Sequence, residues 1–130
     1  MENTLQKYRP YALSLLRIVA ALVLFSYGTQ KILGFPAADN VPPAYSLSWI
    51  AGLIELVFAF VLLIGFYSRA AAFVLSGEMA FAYFIGHSPR GFFPQVNAGS
   101  LAIMYCFVCF YLAFAGGGPW SADAIIRGEK

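Results

Sequence analysis

The chain has 130 residues, 61% of them hydrophobic and only 11% charged. Soluble domains carry about 25% charged residues, so this composition argues against a water-soluble globule and for a membrane protein. A net charge of +2 leaves no basic face for nucleic acid. The two cysteines, Cys106 and Cys109, share one apolar run and do not form the spaced framework of a small secreted domain.

About 20 mostly apolar residues carry a helix across the hydrocarbon layer. Four such runs occur, at 11–33, 47–66, 69–87 and 97–115. The first follows Lys7 and Arg9 in the manner of a signal sequence, but Arg17 interrupts it, and it is read as an uncleaved span. It stops at Gly34-Phe35-Pro36. The connection that follows holds Asp39, Asn40, Pro42 and Pro43. The second and third runs are joined by only Tyr67-Ser68, which forces antiparallel neighbours, and Ser68 is the expected N-cap of the third. Ser88-Pro89 ends the third run. Asn97 is the expected N-cap of the fourth, which stops at Gly116-Gly117-Gly118-Pro119. The expectation is an all-α, polytopic membrane protein: a single domain over residues 1–130, folded as an antiparallel four-helix transmembrane bundle.

Positive residues in flanking segments set orientation. Lys7, Arg9, Arg69, Arg127 and Lys130 fall on one side, against Arg90 and a border Lys31 on the other. Both termini are therefore expected in the cytoplasm. Trp49, Tyr45, Phe92 and Phe93 then fall at the outer interface, and Tyr8, Tyr67 and Trp120 at the inner one, the levels that amphipathic aromatics prefer.

Charges inside spans cost about 2.5–3.5 kcal/mol each on insertion scales, yet Arg17, Glu55 and Glu78 are kept there. Gln30 and Lys31 lie near the outer end of the first span. At 1.5 Å per residue, Glu55 is roughly 12 Å below the outer boundary and Glu78 is close to the midplane. Glu55 shares a helical stripe with Gly52, Ala59 and Leu62. Glu78 shares one with Ala71, Val74, Leu75 and Ala82, and Arg17 with Leu24, Gly28 and Lys31. Small residues beside a charge favour a helix–helix face. The expected arrangement is a basic stripe on the first helix, Arg17 through Lys31, facing both acids. Three roles stay open for this cluster: fixing helix register, lining a polar pocket for a small molecule or quinone headgroup, or moving protons or ions.

His87, Arg90 and Asn97 would form the outer mouth of such a pocket. Straight α-helical counting puts His87 half a turn away from Glu78. Arg90 could serve as an anion-binding lid, or simply sit beside the interfacial anchors Phe92 and Phe93. Cys106 and Cys109 form a CxxC, but deep in a span, where apolar surroundings disfavour the thiolate that redox chemistry needs. With one histidine and no ligand at helical spacing, no metal site is expected. Nor is there a nucleophile–base pair, a flavin or nicotinamide fingerprint, or any other self-sufficient catalytic constellation, so no catalytic residue is named.

The segments LRIVAALVLFSYGTQKILGF (16–35), WIAGLIELVFAFVLLIGFYSRAAA (49–72), GEMAFAYFIGHSPRGFFP (77–94) and YCFVCFYLAFAGGGPW (105–120) resemble the DoxX family of small, four-span bacterial integral membrane proteins. That resemblance implies a place in the bacterial inner membrane. The family takes its name from a membrane subunit of a thiosulfate:quinone oxidoreductase, and some members resemble parts of complexes for oxidative stress and thiol handling. By resemblance the recurrent polar positions are Arg17, Gln30, Lys31, Glu55, Glu78, His87, Arg90 and Asn97. Tyr27 stands where a histidine is frequent, and Ser100 where an acid is. The implied role is an accessory or quinone-interacting subunit of a membrane redox complex, with partners in the lipid bilayer, in protein subunits and in further copies of itself. The alternative is a non-enzymatic small transporter or an assembly scaffold.

Overall fold

The structure is a computed structural model that describes residues 2–35 and 44–127. The centre of the long connection, with Asp39, Asn40, Pro42 and Pro43, lies outside the described residues, as does Lys130. Among the described residues the regular structure is all helical: α1 (Glu2–Lys7), α2 (Arg9–Leu33), α3 (Leu47–Ile64), α4 (Ser68–Phe81), a π-helical segment (Ala82–His87), a 3₁₀ turn (Ser88–Arg90), α5 (Pro94–Asn97), α6 (Ser100–Ala115) and α7 (Ala122–Arg127).

Among the described residues, three stretches are long and apolar enough to cross a membrane: Arg9–Leu33, Leu47–Ile64 and the continuous Ser68–Arg90. The apolar α6 has 16 residues, about 24 Å at 1.5 Å per residue, against a hydrocarbon thickness of about 30 Å. The expected fourth helix is broken near its start. Pro94 opens the short α5, Ala98 takes a left-handed φ of 61°, and α6 begins only at Ser100.

The helix ends follow local chemistry. Ser46 caps α3 by accepting from the Trp49 N–H at 3.2 Å. Gly34 and Gly65 close α2 and α3 with left-handed φ of 72° and 78°, conformations that cost a residue with a side chain far more. The expected cap of the third helix is corrected. Ser68 is the first residue of α4, and the cap comes from far along the chain. Asp123 accepts from the Tyr67 and Ser68 N–H groups at 2.8 Å each.

The helices pack mainly as two antiparallel pairs, α2 with α3 and α4 with α6, joined through α3 and α4. Leu24, Leu62, Leu75, Leu112 and Cys109 form the shared core, with Ala21, Ala59 and Ala72 fully buried between them. The outward faces are apolar: Phe107, Phe110 and Phe114 on α6, and Leu15, Val19 and Leu22 on α2, are all exposed. A helix that is apolar on both its packed and its open face suits lipid as the outer solvent.

Candidate functional site

At the end that holds both terminal segments, Arg17 is almost fully buried. Its guanidinium donates to the carbonyls of Gly117, Trp120 (2.8 Å) and Leu63 (3.3 Å). Ser14 donates to the Gly117 carbonyl at 3.0 Å and accepts from the Trp120 N–H at 3.1 Å. The Gly116–Gly118 stretch is thus more than a helix stop. At Gly117, an added Cβ would lie 2.6 Å from Ser68 Oγ and 2.9 Å from Ser121 Cβ. Arg17 therefore does not face the acids, as helical stripes alone had implied. Carbonyls freed where helices end compete for it and win, and a charged donor satisfies several of them at once.

The other end of the expected basic stripe does meet an acid. Lys31 Nζ lies 3.1 Å from both Glu55 Oε1 and Oε2. Glycines set this approach. A Cβ on Gly28 would lie 2.6 Å from Leu56 N, and one on Gly52 would lie 2.7 Å from Lys31 Cβ. The Lys31 stem thus crosses bare α3 backbone to reach Glu55 one turn further on. Gln30 is half-buried one residue away, and its side chain makes no hydrogen bond among the described residues.

Glu78 is 8% exposed; no backbone N–H, hydroxyl or basic side chain donates to its carboxyl among the described residues, and the Glu55 carboxyl lies within hydrogen-bonding reach of it. Glu55 and Lys31 are near enough to act on it electrostatically. Two carboxyl groups therefore share one ammonium, and the geometry commits that ammonium to Glu55.

Glu78 lines a cleft of about 910 Å³ between α3 and α4. Leu47, Ile50 and Ile54 form one apolar wall, and Phe73, Val74 and Phe81 the other. Lys31 reaches it from α2. His87 also lines it. The π-helical segment changes the count that separated His87 from Glu78, because i→i+5 bonding takes more residues per turn than the α-helix. The sequence carried no signal for this winding beyond Gly86 and the following Ser88-Pro89. His87 Nδ1 lies 3.0 Å from the Asn97 carbonyl, a geometry in which Nδ1–H donates.

The other expected mouth residues are placed differently. Asn97 is fully buried and structural. Its amide donates to Tyr83 Oη (3.1 Å) and the Gly91 carbonyl (3.0 Å), and its Oδ1 accepts from the Gly99 N–H (2.8 Å). It pins the 88–99 loop and does not line the cleft. Arg90 is exposed and lies outside the cleft lining. Cys106 and Cys109 are free thiols, and Ser76 donates to the Cys106 carbonyl at 2.8 Å. No group of three metal-ligating side chains occurs among the described residues.

A sequence model of the DoxX family matches residues 12–88, which spans α2, α3, α4 and the π-helical segment. An uncharacterized protein of Haemophilus influenzae is 42% identical over 127 residues, covering 93% of this chain and 95% of its own length. A second uncharacterized protein of the same organism is 28% identical, covering 89% and 83%. No solved structure matches. With its family match over the cleft-forming helices and a relative aligned along nearly its full length, the chain belongs to the DoxX family of membrane proteins.

Proposed function

We propose that this DoxX-family membrane protein is the headgroup-binding subunit of a membrane redox complex, with quinone as the ligand class and the α3–α4 cleft as the site. One observation carries the reading: a carboxyl nine-tenths buried, to which no backbone N–H, hydroxyl or basic side chain donates among the described residues, in the wall of a largely apolar cleft. A buried polar group left unpaired costs roughly 1–3 kcal/mol, and more when charged, so a ligand that satisfies it gains that much.

Glu78 suits either redox form of a quinone headgroup. A carboxylate accepts from a hydroxyl, and a protonated carboxyl donates to a carbonyl. Glu78 Oε1 or Oε2 would hold that proton, while Glu55 keeps Lys31 fixed at the inner edge. When bound, the quinone supplies two-electron, two-proton chemistry, the electrons coming from a partner subunit with its own redox centre. In the same reading α6 crosses the bilayer as a fourth, short span. Both termini are cytoplasmic in a bacterial inner membrane, and the Arg17 end faces inward.

The test is calorimetric titration of the purified protein with a decyl-substituted benzoquinone. Glu78→Leu should weaken binding about 10-fold or more, the equivalent of one charge-assisted hydrogen bond, while Glu55→Gln should weaken it less. If native protein shows no binding, and Glu78→Gln instead abolishes capture of a co-purifying protein or uptake of a solute, the scaffold or transporter reading replaces this one.

A further inference from the structure

Two glycines in the cleft wall have no explanation inside the chain. Gly77 lies within α4, one residue before Glu78, and Gly86 lies in the π-helical segment. A Cβ built on either meets nothing within 4 Å, and neither has a positive φ. Contrast Gly28 and Gly52, where a Cβ would collide with the neighbouring helix. Glycine inside a helix destabilises it relative to alanine. At Gly28 and Gly52 close helix packing repays that loss. At Gly77 and Gly86 nothing in the chain does.

Both glycines line the cleft that Glu78 lines. The lack of side chains leaves bare helix backbone on that wall, beside a carboxyl that is 8% exposed and receives no hydrogen bond from an N–H, hydroxyl or basic side chain among the described residues. The opening is flanked by exposed apolar side chains, among them Phe73, Val74, Phe81 and Ile50. Such an opening admits an apolar molecule from the bilayer more readily than a water-soluble one from the aqueous side.

Resting on the quinone-class reading above, we propose that Gly77 determines which ligands the cleft accepts. Its bare backbone, continued by Gly86, makes room for a flat ring carried in the bilayer, next to the Glu78 carboxyl. Gly77 then acts by shape and Glu78 by hydrogen bonding. The class of ligand is a planar, ring-headed amphiphile with an apolar tail.

The experiment uses the full chain in phosphatidylcholine nanodiscs, with decyl-benzoquinone and its quinol as probes and binding read by titration. Gly77→Ala should keep affinity within about 3-fold and raise the melting temperature, because alanine favours the helix. Gly77→Leu should fold as well as the native chain and lose affinity at least 10-fold for both probes. Gly86→Leu should weaken binding as well, by a smaller factor. Ring binding by the native chain that Gly77→Leu leaves unchanged would overturn this inference alone. No ring binding by the native chain would remove the functional reading along with it. A Gly77→Cys variant that oxidises to a disulfide-linked dimer in the membrane would place a second chain over the cleft, and would overturn the inference too.

Discussion

Replacing Arg17 by methionine should destabilise the protein by about 3 kcal/mol or more, because hydrogen bonds from a charged donor contribute roughly 1.5–3 kcal/mol each. Methionine keeps an unbranched apolar stem and removes the guanidinium, so the loss reports chiefly on the donor group. The carbonyls of Gly117, Trp120 and Leu63 lose their donor at a site where Arg17 is 1% exposed. The chain between α6 and α7 is also held by Ser14 on one side, by the Tyr11–Trp120 ring contact at 5.2 Å, by the Asp123 N–H donating to the Gly65 carbonyl at 2.9 Å, and by the Asp123 cap on the start of α4. Release of that stretch should uncap α4 as well, so the damage spreads from α2 to the second helix pair. The measurements are the thermal midpoint in mild detergent and limited proteolysis. Arg17→Met should melt lower and be cut between Gly116 and Arg127. A variant with the native midpoint and an uncut C-terminal segment would show that Arg17 is not a clamp. Lysine at this position should recover only part of the loss, since an ammonium cannot match the planar fork that reaches three carbonyls.

Gly28→Leu is the second large effect. The glycine Cα sits so close to α3 that a Cβ would lie 2.6 Å from Leu56 N, 2.8 Å from Leu56 Cα and 3.1 Å from the Gly52 carbonyl. These are backbone atoms, which cannot swing aside. Overpacking of this kind costs about 1–3 kcal/mol, and leucine should reach the upper part of that range. The functional consequence is separate from the stability loss. Forcing α2 away from α3 draws Lys31 from Glu55, one turn along each helix, and leaves two carboxyl groups without their shared cation. Ligand affinity in the α3–α4 cleft should fall even where the protein still folds, although Gly28 does not line that cleft. Paired measurements of melting and of quinone titration separate the two effects. Native affinity in a folded Gly28→Leu protein would mean that the Lys31–Glu55 pair does not organise the site.

Glu78 and Arg17 illustrate how far helical spacing reaches. Spacing puts Arg17, Gly28 and Lys31 on one face of α2, and that face does turn inward: Arg17 and Gly28 are both buried. What spacing cannot say is which atoms meet that face. At one end it meets Glu55. At the other it meets the carbonyls of a glycine-rich turn more than 90 residues away, a partner type that no count of charged residues reveals, because every residue has a carbonyl. His87 shows a second limit. Its offset of nine residues from Glu78 was read with α-helical geometry, and a π-turn between them altered the winding.

The amino-acid sequence by itself determined the solvent this protein lives in and the class of its fold. Apolar runs of spanning length, broken by glycine and proline, leave helices as the form that satisfies their backbone in lipid. It also determined which polar groups are too deep to be incidental, Arg17, Glu55 and Glu78, since each costs free energy to place there. The tertiary structure alone decided what each of them does. Arg17 became a clamp because a freed carbonyl cluster outcompeted distant carboxylates, and Glu55 took the Lys31 ammonium. Glu78, without that ammonium, opens onto a cleft whose glycine-lined wall forms where α4 lies beside α3. Depth is a property of position along one helix. Pairing depends on which helices lie side by side and how closely, and the glycine contacts between helices fix that in three dimensions.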